Sequence, residues 1–422
     1  MRGIPSHAPF LTASQFSVLS TNYMHILFLS AWFPYPTDNG IKLRSYHLLR
    51  GLAATHEVDL LCFSEQPPTP AALAQLQTFL PVVDVVPETA FAARAVGGVI
   101  GLLSPQPRSL VANHSATMEQ RVRTRTTTQR YDLVIAEDLH MVPYALAAGT
   151  TPKLFEGLEI LRIYDQYRHA PNLRARLRYG LTWFKTYNYV KGVLPQFAGV
   201  TCVSEPEQAL FKRPARRPAI GIVPNGVDIA GLQGNFGPPE ADTLIYAGSI
   251  SYDANFDAVA YYLADIYPYV VRSNPHAKLR VTGKATPTQI AALPQRNGVE
   301  FTGFLDDVRP AVARAWAEVV PLRTGSGTRL KILEALALGT PVISTSKGVE
   351  GLNLQNERDL LVADTAPGFA AYVVQLLVSN ELRQRLVAHG QRAVEPYDWG
   401  YSVRRLAQVV EEATRYAHHK NS

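Results

Sequence analysis

Cysteine is almost absent from this 422-residue chain, which has only Cys62 and Cys202. Two thiols cannot build a disulfide framework or a zinc site. Each lies in an apolar, strand-like run, Val58–Phe63 and Gly199–Val203, and is expected as a small core residue in a reducing compartment. No run of about 20 apolar residues occurs, so an ordinary membrane span is not expected. Several catalytic signatures are also missing. No Gly-x-Gly-x-x-Gly follows the first strand, against a dinucleotide oxidoreductase, and no Gly-x-x-x-x-Gly-Lys-Ser/Thr marks a P-loop. There is no Gly-x-Ser-x-Gly nucleophile elbow and no zinc-finger or RNP-type signature, so nucleic acid is not an expected partner. No Asp-x-Asp pair stands at a strand end to hold a divalent ion with a diphosphate, and no protein-held metal is expected.

What is present suits two folded domains. Hydrophobic residues make up 47% and charged ones 18%, enough to bury large cores. The net charge of +6 is lopsided. Residues 1–220 carry 22 Lys and Arg against 15 Asp and Glu (net +7), and residues 221–422 carry 19 against 20 (net −1). Such a basic half attracts anionic lipid or phosphorylated substrate. Residues 1–23 read as a poorly ordered leader without the features of a secretory signal. Met24 is then a candidate translation start, and a cytoplasmic chain is expected.

From Met24, β-rich apolar runs alternate with amphipathic stretches, the pattern of parallel sheets wrapped by helices. Strands are expected at 25–30, 58–63, 82–86, 133–136, 153–155 and 200–203. The second half predicts 243–247, 278–282, 299–302, 318–321, 341–344 and 360–363. The helices expected between them include 44–54, 178–194, 256–272, 307–315, 329–338 and 367–377. The Pro/Arg-rich stretch Lys212–Pro224 suits neither helix nor central strand and marks the join. The expected fold class is α/β: two doubly wound domains, with the active site in the cleft between them.

The stretch from Val320 to Ser344 reads strand, Gly-rich turn, helix, Gly stop, strand. Gly325-Ser326-Gly327 leaves backbone N–H groups unpaired at a helix start, where the dipole favours an anion. Arg329 and Lys331 are cations where that dipole prefers acids, an arrangement that a bound diphosphate would relieve. Glu334 lies among Ile332, Leu333, Ala335 and Leu336, where a carboxylate needs a hydrogen-bond partner. Ribose hydroxyls would satisfy it; the alternative is an internal pair with Lys331, three residues away.

Taken with its surroundings, this stretch resembles the donor-binding signature of retaining GT-B glycosyltransferases of glycosyltransferase family 4, the group 1 family. The resemblance extends over nearly the whole chain from Met24. It includes His25–Pro36 with Gly40, Val203-Ser-Glu205, Val223–Asp228, Tyr246-Ala-Gly-Ser249, Phe301-Thr-Gly-Phe304, the Gly325–Thr345 block and Glu395–Trp399. It implies two Rossmann-like domains facing a central cleft and a C-terminal helix crossing back to the first. The resulting boundaries are 1–23 for the leader, 24–215 for the acceptor-side domain, 216–395 for the nucleotide-sugar domain and 396–422 for the returning helix.

By position, the resemblance implies that Glu334 holds the ribose and that the amides of Arg329 and Leu330 approach the diphosphate. Gly248, Ser249, Gly303, Phe304, Gly325, Ser326, Gly327, Thr328 and Lys331 complete the donor site. The sequence departs from the family at two places. Ser326 stands where many members carry a sugar-contacting Glu, and the usual Arg/Lys pair after the second domain's first strand is not evident. Arg329 or Lys331 is left to supply that charge. The donor implied is a UDP- or GDP-sugar, with no cofactor. The leaving phosphate accepts the acceptor's proton in front-face attack, and no enzymatic nucleophile is named.

In the first domain, Gly40 offers close backbone approach and Arg44 a phosphate contact. Glu137, Asp138 and His140 follow an apolar strand at its carboxyl end. By the resemblance, His140 is a candidate to contact the donor sugar or orient the acceptor, with Glu137 and Asp138 as alternatives for a polar partner or acceptor-side base. Glu159 is a candidate for the acceptor side. The apolar run 90–103 suggests a buried helix or a lipid-touching face, and Arg174–Lys191 mixes basic and aromatic residues as interfacial helices do. The resemblance implies a carbohydrate or lipid-linked acceptor at the inner face of the plasma membrane, and the basic first half suggests an anionic membrane surface as partner. Competing functions are a sugar-nucleotide 2-epimerase, a non-catalytic nucleotide- or carbohydrate-binding protein, and, distantly, a Rossmann dehydrogenase.

Overall fold

The structure, a computed structural model, describes residues 23–421 apart from 38, 88–100, 102–103, 212–219 and 326. The leader 1–23 (save Tyr23), most of the apolar run 90–103 and Ser326 therefore lie outside the described residues. The chain divides into two units. One is Gly226–Asp398; the other comprises the described residues through Asn225 and the chain from Trp399 onward.

The unit that begins the chain is built on a seven-stranded sheet. Its strands are β1 (His25–Ser30), β2 (Glu57–Ser64), β3 (Val82–Pro87), β4 (Leu133–Glu137), β5 (Lys153–Leu158), β6 (Gly199–Cys202) and β7 (Ile220–Ile222), in the order β3-β2-β1-β4-β5-β6-β7. Every pairing is parallel. A parallel sheet is covered on both faces, which is why the strands read as unbroken apolar runs. Alternation still sorts them. Leu27, Leu29, Val134 and Ala136 face one core, and Ile26, Phe28, Leu133 and Ile135 the other.

Strand β7 was not expected, because it lies inside the Pro/Arg-rich stretch assigned to the join. It is tolerated as the sheet's outermost strand, where few ladder bonds are required. The passage between units falls at Asn225–Gly226, later than the boundary at 215/216, because β7 still belongs to the first sheet.

The helix Trp399–Asn421 closes this unit, with Leu406, Val409, Val410 and Ala413 in its core. Glycines let it approach closely. A β-carbon on Gly51 would lie 2.4 Å from Val403 Cγ1, and one on Gly221 2.4 Å from Val409 Cγ2. Burial of each Leu or Val contributes about 1.5–3 kcal/mol, so this face alone is a substantial anchor.

The unit Gly226–Asp398 carries six parallel strands, β8 (Thr243–Ala247), β9 (Lys278–Thr282), β10 (Val299–Gly303), β11 (Ala317–Val320), β12 (Val342–Ser344) and β13 (Leu361–Val362). Their order is β10-β9-β8-β11-β12-β13. The helix expected over 256–272 is Asp253–Tyr261 and Tyr267–Ser273 joined by a π-turn at Tyr262–Ile266. Pro268, near the start of the second segment, has no N–H to donate backwards, and the wide turn accommodates its ring. Among the described residues no helix is long and apolar enough to cross a membrane.

Candidate functional site

Each sheet reverses its strand order once, between β1 and β4 and between β8 and β11. The crevice beyond the carboxyl ends of the strands at such a point is where open parallel sheets bind ligands.

At the β8/β11 reversal, β8 runs into Gly248-Ser249 and β11 runs through Gly325 and Gly327 into the helix Leu330–Ala337. Lys331 reaches back from that helix to the end of β8. Its Nζ lies 3.3 Å from Asn255 Oδ1 and 4.0 Å from the centre of the Tyr246 ring. A β-carbon on Gly248 would come within 2.6 Å of this amine. The partners are themselves fixed: Tyr246 Oη donates to Asn255 Oδ1 at 2.7 Å, and Asn255 Nδ2 donates to the Ser249 carbonyl at 2.8 Å. Only a glycine fits at Gly283, which takes φ +103; a β-carbon there would stand 2.6 Å from the Ser249 nitrogen. The Gly283 N–H donates to the Gly303 carbonyl at 2.8 Å, joining the ends of β9 and β10.

The charges of this corner are few, and Lys331 and Glu334 are half-buried. Glu318 of β11 is fully buried, and its Oε1 accepts from the Ala247 N–H at 3.3 Å. Burial raises its carboxyl above the usual range, while the Lys331 charge pulls it back. Burial lowers Lys331 from the ordinary lysine value against the pull of Glu318. Glu334 is also raised by burial and eased by Lys331. Yet no ion-pair contact joins Lys331 to Glu334, and no described residue hydrogen-bonds the Glu334 carboxylate. The internal pair considered from the sequence is therefore not formed.

Arg329 is the residue before the helix, in non-helical conformation (φ −83, ψ 77), and no side chain caps the start. Its Nη1 donates to the Gly327 carbonyl at 2.9 Å, and a β-carbon on Gly325 would stand 3.3 Å from its Nη2. The Leu330 N–H, expected to approach a diphosphate, donates instead to the Thr328 carbonyl at 3.0 Å. Phe304, just past β10, is 60% exposed, with Lys284 Nζ 5.5 Å from its ring centre.

At the β1/β4 reversal, His140 Nδ1 lies 2.6 Å from Asp138 Oδ1, which also accepts from the His140 backbone at 2.8 Å. Burial raises the Asp138 carboxyl, but the His140 hydrogen bond and charge outweigh it and hold it low. Asp138 pays for this position with φ 75, an unfavourable conformation for a residue with a β-carbon. His140 lines a cavity of about 190 Å³ with Ala31, Trp32, Phe63, Asn113 and Tyr144.

Residues 39–230 match the family described as Glycosyltransferase Family 4, and residues 241–379 match Glycosyl transferases group 1. The chain belongs to this family. A phosphatidyl-myo-inositol mannosyltransferase of Mycobacterium tuberculosis is 29% identical over 209 residues, 45% of this chain and 53% of that one. The chain thus spans about half the length of the curated relatives it matches. The Rhizobium meliloti lipopolysaccharide core biosynthesis glycosyltransferase LpsE is 38% identical over 100 residues, 23% and 28% of the two chains. Among solved structures, Anabaena Alr3699/HepE in complex with UDP and glucose superposes with a TM-score of 0.62 at 15% identity, covering 92% of this chain and 100% of that one. The fold is accordingly GT-B.

For a family-4 chain, two expectations about the first unit need correction. Arg44 is not available to a phosphate. It is buried, its Nη2 paired with Glu156 and bonded to the Val223 carbonyl at 3.0 Å, its Nη1 to Asn225 Oδ1 at 2.9 Å. Glu137 is no accessible base either. It is 4% exposed, accepts from Ser30 Oγ at 2.7 Å, and is raised by burial and by neighbouring Glu156. Gly40 opens the helix Gly40–Ala53, whose first amides are capped by the Asn39 side chain. Glu159 sits exposed after β5. Sequence reasoning missed Tyr246, Asn255 and Glu318. An acid inside the apolar strand Ala317–Val320 was a usable signal for Glu318; Asn255 reaches the site only through the fold.

Proposed function

We propose that this chain transfers a sugar, with retention at the anomeric carbon, from a UDP- or GDP-sugar to a carbohydrate or lipid-linked acceptor. The setting is cell-surface polysaccharide or glycolipid synthesis at the inner face of the plasma membrane, without a resident metal or cofactor. Lys331 carries the reading. Its amine stands at the end of β8, where the family resemblance implies an Arg/Lys pair that this sequence lacks, so the charge comes from the next crossover instead. Cleaving the anomeric bond leaves negative charge on the departing diphosphate. A half-buried cation already in place stabilises that charge without reorganisation, and Arg329 at the helix start adds a second. The half-buried Glu334 carboxylate, three residues beyond Lys331, accepts from the ribose hydroxyls. Exposed Phe304 offers a flat surface to the base. In the first unit, Asp138 fixes the His140 imidazole, which is offered to the acceptor.

A thermal-shift panel of nucleoside diphosphates and nucleotide sugars tests this, because a ligand that binds only the folded protein raises the melting temperature by mass action. UDP or GDP, and one of their sugars, should stand out. A flat panel would remove the donor site. Turnover of the donor without any acceptor would replace transfer by 2-epimerisation.

A further inference from the structure

The helix Leu173–Val193 buries one side, through Thr186, Val190 and Val193, and leaves the other apolar and open. Leu173, Leu177, Leu181 and Phe184 are 72%, 67%, 47% and 65% exposed. At about 100° per residue they fall within a sector of roughly 80°, forming one stripe about 16 Å long. Single exposed leucines are ordinary; four large apolar side chains aligned on one helix mark a contact surface.

The charge around the stripe is of one sign. The helix carries Arg174, Arg176, Arg178, Lys185 and Lys191 and no acid. By the same projection Arg174, Lys185 and Arg178 run along one border and Arg176 along the other. The guanidiniums of Arg178 and Arg176 lie over the rings of Tyr179 and Tyr167, at 4.7 and 5.6 Å. Tyrosine and arginine share this habit of keeping an apolar body in contact and a polar tip in water. The combination of an apolar stripe, cationic borders and aromatic neighbours is what a helix lying in the headgroup layer requires. A second copy of the chain would cover the leucines, but only by bringing two uniformly cationic helices together.

We propose that this face seats the chain on an anionic bilayer, with Leu173, Leu177, Leu181 and Phe184 entering the acyl boundary and the bordering arginines meeting lipid phosphates. It rests on the membrane-borne acceptor of the proposed function and names the surface that meets it. The test is co-sedimentation of the full chain with vesicles of phosphatidylglycerol and phosphatidylcholine in equal parts, and of phosphatidylcholine alone. The variants are L177D/F184D and R174E/R178E, with L177Q/F184Q should the aspartates lower the melting temperature. Wild type should bind the anionic vesicles, less so as salt rises. Each variant should bind at least about tenfold more weakly, with melting temperature and nucleotide diphosphate binding unchanged. Variants that sediment like wild type overturn this face while leaving a membrane-bound transferase standing. Wild type that ignores both vesicles overturns the face and the membrane setting, while donor binding stands on its own assay. A self-association abolished by the same variants, without vesicle binding, assigns the stripe to a second copy instead.

Discussion

Replacing Lys331 by Met removes the cation and keeps most of the side chain's volume. In the free protein the amine's neighbours are Asn255 Oδ1 and the Tyr246 ring, neither of them charged, while the Glu318 carboxyl is felt through the interior. The fold should survive, because Glu318, already raised by burial, takes up a proton once its compensating charge is gone. Binding should not survive intact. A hydrogen bond to a charged group contributes about 1.5–3 kcal/mol, so UDP or GDP should bind roughly tenfold to a hundredfold more weakly. The corresponding nucleoside, lacking phosphates, should bind equally to both proteins. Isothermal titration calorimetry separates these cases. The pH dependence gives a second check. Lys331 loses its proton below the ordinary lysine value, so diphosphate affinity in the wild type should fall as pH rises through the alkaline range toward 10.5. An arginine at 331 stays charged and should flatten that fall. Equal loss for nucleoside and diphosphate, or no loss in a folded K331M, would falsify the assignment.

Three further outcomes are expected. Glu334→Ala should weaken nucleotide binding by about 1–3 kcal/mol, with no loss for a 2′,3′-dideoxy nucleotide that lacks the hydroxyls; an equal loss for both points to a merely structural carboxylate. Glu207, 2% exposed, accepts from the Leu161 N–H at 2.7 Å, and burial pushes it up to about 7. Its contribution to stability is complete below the unfolded value of 4.5 and is lost as pH rises through about 7, so Glu207→Gln should raise the melting temperature more at pH 8 than at pH 5. Gly221→Ala places a methyl 2.4 Å from Val409 Cγ2 and should cost about 1–3 kcal/mol in urea unfolding, whereas Gly237→Ala, where nothing lies within 4 Å, should show only backbone strain.

Much of the fold was legible because its signals are local. Twelve of the thirteen strands announce themselves as apolar β-rich runs, since a sheet covered on both faces demands them. Strand β7 was hidden: three residues beside a proline- and arginine-rich stretch become a strand only because β6 offers an edge. The corner proposed to hold the donor was half legible. Gly-rich turn, cations and lone acid sit within ten residues of one another, and their mismatch with a helix start is visible in the sequence. That Lys331 rather than Arg329 reaches the end of β8 was not, because it depends on which way a helix faces.

Charged residues show the division most plainly. Sequence determined that Arg44, Glu137 and Lys331 lie at or after the ends of β1, β4 and β11, in the segments from which open parallel sheets build ligand sites. Whether each meets solvent or the interior was decided by residues far away in the chain: Glu156 and Val223 enclose Arg44, Ser30 takes Glu137, and Gly248 clears a space for Lys331. A side chain's type fixes what chemistry it can do; the desolvation and partners that only packing supplies fix whether it does it.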